Sequence, residues 1–118
     1  MRKVTKQVCR AFVNGESKTI GNTSTDGQHL WLHGNLIAAK TEDKCIQVTM
    51  AGWPTVTTRE RLNGLIDLLS WDNDQWRHRP VDRFSQRDWC QYYGDEAVSE
   101  YDWIDIGRWD FLPDNYPF

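Results

Sequence analysis

No apolar run in this sequence approaches the roughly 18 residues that a membrane-crossing helix needs, so no membrane span is expected. Behind the basic start Met1-Arg-Lys-Val-Thr-Lys no apolar stretch follows, which argues against a secretory leader. Cysteine is scarce. Cys9, Cys45 and Cys90 are odd in number, far apart and free of any Cys-x-x-Cys pair, so neither a disulfide framework nor a thiolate metal knuckle is expected. They read as three reduced thiols in a cytosolic protein. Bases are nearly missing from one end. Asp95 to Phe118 carries seven acids (Asp95, Glu96, Glu100, Asp102, Asp105, Asp110, Asp114) against Arg108 alone, a net of −6. The other residues carry 13 bases and 10 acids, a net of +3 within an overall charge of −3.

The signatures of catalysis are also lacking. There is no Gly-rich phosphate loop and no Gly-x-Ser-x-Gly turn to expose a nucleophile. Asp72-Asn-Asp74 opens like a calcium loop but lacks the central Gly and terminal Glu that such a loop requires. His29 and His33 sit four apart on a proposed strand with Trp31 between them, about 13 Å from one another at strand rise, too far to share one ion. Cys90 has Arg87 and Asp88 nearby but no partner base. The expectation is a protein that is not an enzyme and uses no cofactor or metal.

What the chain does have is aromatic mass: seven Trp, four Tyr and four Phe in 118 residues, against a hydrophobic share of only 39%. Aromatics bury a large area each, so few are needed to close a small core. Seven Trp is a surplus, and exposed Trp is enriched at binding faces. A chain of this length forms one domain and can bury a core without staples.

The stretch from Gln28 to Leu69 organises the fold. Leu30 and Leu32 alternate with His29, Trp31 and His33, the period of a half-buried strand. Gly34-Asn35 is read as a tight turn, Leu36 to Ala39 as the return, Thr41 to Lys44 as a second turn, and Cys45 to Met50 as a third strand with Ile46, Val48 and Met50 on one face. Trp53-Pro54 ends the sheet, and Thr57-Thr-Arg-Glu60 reads as a capping box opening a helix with Leu62, Leu65, Ile66 and Leu69 inward. Upstream, Val4, Val8 and Phe12 predict a helix over residues 3 to 14, stopped by Asn14-Gly15. Lys18 to Asn22 reads as a short strand and Thr23 to Gly27 as a turn cluster. Downstream, Arg83 to Tyr93 and Ser99 to Ile106 read as strands around a Gly94-Asp-Glu turn. The sum is a single α+β domain over 1–118: an antiparallel meander packed by one or two helices in two layers, with 70–118 as an aromatic-rich β accessory region ending in an acidic arm.

Four separated blocks carry a resemblance: Gly21-Asn-Thr-Ser-Thr-Asp-Gly27, Leu30-Trp-Leu-His-Gly-Asn-Leu-Ile-Ala38, Ala51-Gly-Trp-Pro-Thr55 and Thr57-Thr-Arg-Glu-Arg-Leu-Asn-Gly-Leu65. Over about residues 8 to 69 the chain resembles a family of small proteins encoded by tailed bacteriophages. The resemblance implies a phage origin and a cytoplasmic site of action in an infected bacterium. It implies no catalytic residues.

Two surfaces stand out. The acidic arm sets Tyr101, Trp103, Trp109, Phe111, Tyr116 and Phe118 among carboxylates, a composition able to occupy a basic groove that normally holds nucleic acid. Its expected contacts are Asp102, Trp103, Asp105, Trp109 and Asp110, with a bacterial host or defence protein complex (anti-CRISPR-like inhibition included) as the partner. The bland counterpart is an acidic tail that solubilises or packs on its own domain. The second surface is Trp76, Arg77, Arg79, Arg83, Arg87 and Trp89, where guanidinium groups interleave with rings as in single-stranded nucleic-acid binders. Acids at 67, 72, 74, 82 and 88 dilute that reading, and cation–π pairs on a sheet surface explain the pattern as well.

Overall fold

The first helix, α1 (Lys3–Asn14), forms where the apolar spacing places it. Val8, Cys9, Ala11, Phe12 and Val13 are buried, while Lys3, Lys6 and Arg10 face water. Gly15 ends it at φ 79°, its N–H donating to the Phe12 carbonyl while the Glu16 N–H donates to that of Ala11. This computed structural model describes residues 2–69, 71, 72, 75, 76 and 83–108.

The strands are β1 (Lys18–Ile20), β2 (Thr23–Thr25), β3 (His29–Leu32), β4 (Asn35–Lys40), β5 (Cys45–Val48), β6 (Trp71–Asp72), β7 (Gln75–Trp76), β8 (Phe84–Arg87), β9 (Cys90–Tyr93), β10 (Glu96–Val98) and β11 (Ile104–Arg108). The expected meander, β3 to β5, is the centre of a six-stranded antiparallel sheet in the order β1-β2-β3-β4-β5-β11. Two further sheets are β10-β9-β8 and the short pair β6-β7.

Local chemistry explains the departures from the sequence reading. Thr23 to Thr25 is a strand rather than a turn: three β-compatible residues sit after Gly21, which turns at φ 59°. The β3–β4 turn is His33-Gly34 at φ 52° and 79°, one residue earlier than expected, because a two-residue hairpin turn needs positive φ at both positions. A bulge leaves Ile37 unopposed, since Leu30 faces Ala38 and Trp31 faces Leu36. That kink lets consecutive residues, Ile37 and Ala38, both be buried.

The second helix is α2 (Val56–Leu69). Its N-cap is Thr55, not Thr57: the Thr58 N–H donates to the Thr55 hydroxyl at 3.2 Å and the Arg59 N–H to the Thr55 carbonyl at 3.1 Å. Glu60 does not close a capping box, because its carboxylate has a buried task. Arg61 is only 2% exposed. Its Nε donates to the Thr23 hydroxyl at 2.9 Å, and its Nη1 donates to the Thr5 hydroxyl at 2.8 Å and lies 3.2 Å from Glu60 Oε1. Thr5 in turn donates to Glu60 at 2.6 Å. The guanidinium thus ties α2 to β2 and α1, and Glu60 offsets its charge. Leu62, Leu65, Ile66 and Leu69 are buried as expected, joined by Leu68. Each such side chain contributes about 1.5–3 kcal/mol.

The helices lie side by side on the sheet: α1 touches β1, β2 and β3, while α2 touches β4 and β11. The molecule is a two-layer α+β fold. The region after Leu69 is less separate than expected. β11 runs antiparallel to β5, with Ile104 opposite Val48 and Arg108 opposite Cys45, and Ile104 and Ile106 pack on the core. The accessory sheet leans on α2. Asn63 donates from Nδ2 to the Phe84 carbonyl at 3.0 Å and accepts the Phe84 N–H at 2.8 Å, and Phe84 is buried. Arg83 to Tyr93 is a hairpin, not one strand, and Ser99 to Trp103 is a turn ahead of β11. Among the described residues no helix is long and apolar enough to cross a membrane.

Candidate partner-binding groove

The β8–β9 hairpin sorts its side chains by alternation. Phe84 and Tyr93 face each other with ring centroids 5.0 Å apart, and Gln91 is buried beside them. The Gln91 amide oxygen accepts from Arg59 Nη1 at 2.9 Å, and that nitrogen also donates to the Pro54 carbonyl at 2.9 Å. On the other face the Arg87 guanidinium lies 4.2 Å above the Tyr92 ring, a cation–π pair. The two-residue turn is Asp88-Trp89 at φ 51° and 68°. Asp tolerates the left-handed backbone, but a bulky Trp does not, and at Trp89 it costs about 1–2 kcal/mol. The turn carries Trp89 to the tip with 93% of its surface exposed. Strain of this kind gathers where a surface is used.

The opposing wall is the turn before β11. The Ser99 N–H donates to Asp102 Oδ2 at 2.8 Å, and the Tyr101 N–H donates to the Ser99 hydroxyl at 3.2 Å. The Gly52 N–H donates to the Glu100 carbonyl at 3.0 Å. Gly52 has φ 79°, and a Cβ there would come within 2.7 Å of Tyr101 Cε1, so only glycine lets the tyrosine lie over this loop. Between the two walls is an open groove of about 580 Å³, lined among others by Pro54, Trp89, Gln91, Val98, Glu100 and Tyr101.

Of the acidic set expected from sequence, Asp102 caps the Ser99 turn and Asp105 accepts the Gly107 N–H at 3.0 Å across a bulge in β11. Both are exposed, and Trp103 keeps 47% of its surface free. Trp109 and Asp110 lie outside the described residues. Of the arginine–tryptophan set, Arg83 pairs with Asp67, Arg87 covers Tyr92 and Trp89 forms the tip. Trp76 falls in β7, while Arg77 and Arg79 lie outside the described residues. Trp89 of this set lines the groove together with Glu100 and Tyr101, next in sequence to Asp102, while none of the expected acidic contacts among the described residues is itself in the lining. Pro54 and Gln91 escaped the sequence reading, since only the folded hairpin brings them to Tyr101.

The histidines are held apart by separate partners. His29 Nδ1 is 3.2 Å from Asp26, and His33 Nε2 is 3.3 Å from the Asn22 amide nitrogen. Backbone donation from Gln28, with help from His29, holds the Asp26 carboxyl below its usual range. Among the described residues no cluster of three or more His, Cys, Asp or Glu is placed to hold a metal. Burial, aided by Glu60, pushes the Cys9 thiol up to about 12, where it is a poor nucleophile.

The hairpin, the turn and β11 all fall within a stretch that has relatives. The family described as Kyanoviridae Gp96 protein matches residues 1–110. The chain belongs to that family. Gp96 is a phage protein family, in keeping with the tailed-phage resemblance of residues 8 to 69. The match is wider than that resemblance and takes in both walls of the groove. No curated protein and no solved structure matches this chain.

Proposed function

We propose that this phage protein is a stoichiometric, non-catalytic binding factor that docks on a bacterial host or defence complex in the cytoplasm of the infected cell and inhibits or redirects it. The observation that carries the reading is the Asp88-Trp89 turn: a left-handed Trp89 that displays a nearly bare indole beside Tyr101 in an open groove. Large rings at the centre of a contact supply most of the binding free energy at protein interfaces. Charge supports a basic partner, because Glu100 lines the groove with the rings, and Asp88 and Asp102, both exposed, adjoin Trp89 and Tyr101 in sequence. The non-catalytic part rests on pairing: Glu60, Arg61, Asp67 and Arg83 all serve contacts within the fold.

The test is capture of host proteins from lysate by the full chain, in parallel with Trp89→Ala and with Asp102→Lys combined with Asp105→Lys. The expected result is one saturable partner, lost or weakened at least tenfold in each variant. No saturable partner, or a partner indifferent to both variants, overturns the reading. Binding of single-stranded oligonucleotide that falls steeply with salt would instead favour nucleic-acid binding through Arg83, Arg87 and Trp89.

A further inference from the structure

A second concavity, separate from the groove, opens at the end of the two-layer sandwich. It lies between the His33-Gly34 turn and the first turn of α2 and has a volume of about 420 Å³. Its floor is Ile37 and Met50, both buried. One wall is Trp53, 58% exposed. Two consecutive left-handed residues, Ala51 at φ 54° and Gly52 at φ 79°, hold the Trp53 backbone there, and its N–H donates to the Met50 carbonyl at 2.9 Å. Ala51 in that conformation is the second strained non-glycine position that sets out an exposed indole.

Two polar groups of the lining, Asn35 and Thr57, are not used up by the fold. His33 Nε2 lies 3.3 Å from the Asn22 side-chain amide, which also meets the Thr23 hydroxyl at 2.8 Å. The Asn35 amide and the Thr57 hydroxyl have no hydrogen-bond partner among the described residues. The lining contains no acid, lysine or arginine among the described residues.

We propose that this cavity binds a neutral, planar heteroaromatic ligand, a nucleobase or its nucleoside. An indole wall stacks on a base face, and an amide offers adjacent donor and acceptor atoms that match a base edge. A hydrocarbon of the same size would leave Asn35 and Thr57 unpaired on burial. A phosphate would find no counter-charge. The volume lies in the range of small-molecule sites, about 300–1,000 Å³.

Calorimetric titration of the full chain with adenosine, guanosine, cytidine, thymidine, AMP and indole tests the assignment. At least one nucleoside is expected to saturate. Trp53→Ala, at a half-exposed position, should weaken it between about fivefold and a hundredfold. Asn35→Leu should weaken it about tenfold. Trp89→Ala, in the other groove, should leave nucleoside affinity unchanged, which separates this site from the proposed docking surface. The assignment is overturned if no nucleoside saturates, or if Trp53→Ala leaves binding intact. Tighter binding of AMP than of adenosine would remove the neutral-ligand assignment. Indole binding as tightly as the best nucleoside would make the cavity a slot for a partner's aromatic side chain.

Discussion

The residues up to Leu69 and the described residues from Arg83 onward treat their aromatic and polar side chains in opposite ways. In the first region inward positions are filled and closed: α1, α2 and the sheet bury Val8, Phe12, Leu30, Ile37, Ile46, Val48, Leu62 and Leu65, and a buried arginine finds Thr5, Thr23 and Glu60. In the second, Phe84 alone joins the buried cluster, while Trp89, Tyr101 and Trp103 stay exposed. One region uses its residues to define a shape. The other uses that shape as a support for rings left largely uncovered among the described residues. Trp89 and Trp103, with Trp53 from the first region, are tryptophans that serve the surface rather than the core.

The sharpest way to break this contrast is at the buried node. Arg61→Ala should lower the free energy of unfolding by about 3–5 kcal/mol, read from the urea midpoint, because Glu60 is left without its partner. A loss below about 1 kcal/mol would mean that the node does not hold the layers together. The next largest effect tests whether the second region is only a support for rings. A chain ended at Trp103 lacks β11 and the packing of Ile104 and Ile106, so a loss of about 2–4 kcal/mol in the same measurement is expected. An unchanged midpoint would restore the picture of a dispensable arm. A third variant should act in the opposite direction. Replacing Asp88-Trp89 by Asn-Gly supplies residues suited to the observed turn, so stability should rise by about 1–2 kcal/mol while partner capture is lost.

The smallest effect concerns Lys40, whose half-buried ammonium donates to the Val13 carbonyl at 3.4 Å and lies over Phe12. Burial lowers its pKa from 10.5 to about 8. Below pH 8 both folded and unfolded chains carry the charge, and the folded state bears the desolvation. Between about 8 and 10.5 the unfolded chain holds the proton more tightly, so this group makes stability rise with pH. Cys9 opposes it above pH 9, because the folded thiol stays protonated to about 12. Lys40→Met should remove the rise between pH 7.5 and 9, an effect below about 1 kcal/mol since solvent screens a half-exposed group.

Much of the first region could be read from residues alone. The recurrence of Val4, Val8 and Phe12 with Gly15 behind them is enough for α1, and the alternation of Ile46, Val48 and Met50 is enough for an inward strand face. The capping-box pattern places the start of α2 at Thr57, whereas the hydroxyl that caps it is that of Thr55. The choice depends on Arg61 and Thr5 claiming Glu60, a contact between residues far apart in sequence. Asp88 suits a turn, but Trp89 in place of the glycine that usually follows it hides the hairpin, so Arg83 to Tyr93 reads as unbroken. The candidate site was legible only as neighbourhoods. Asp102, Trp103, Asp105 and Trp89 are individually visible, but that Trp89 comes to share a groove with Pro54, Gln91 and Tyr101 is a matter of register and of the Gly52 contact.

The placement of β11 also bears on how the chain is made. Cys45–Val48 leaves the ribosome well before Ile104–Arg108, the strand that covers its free side. Through that interval the growing chain presents a row of unsatisfied amide and carbonyl groups, open to any extended peptide nearby. Slow translation or scarce chaperone would lengthen the exposure, and joining of nascent copies strand to strand is the misassembly to which this topology is most vulnerable.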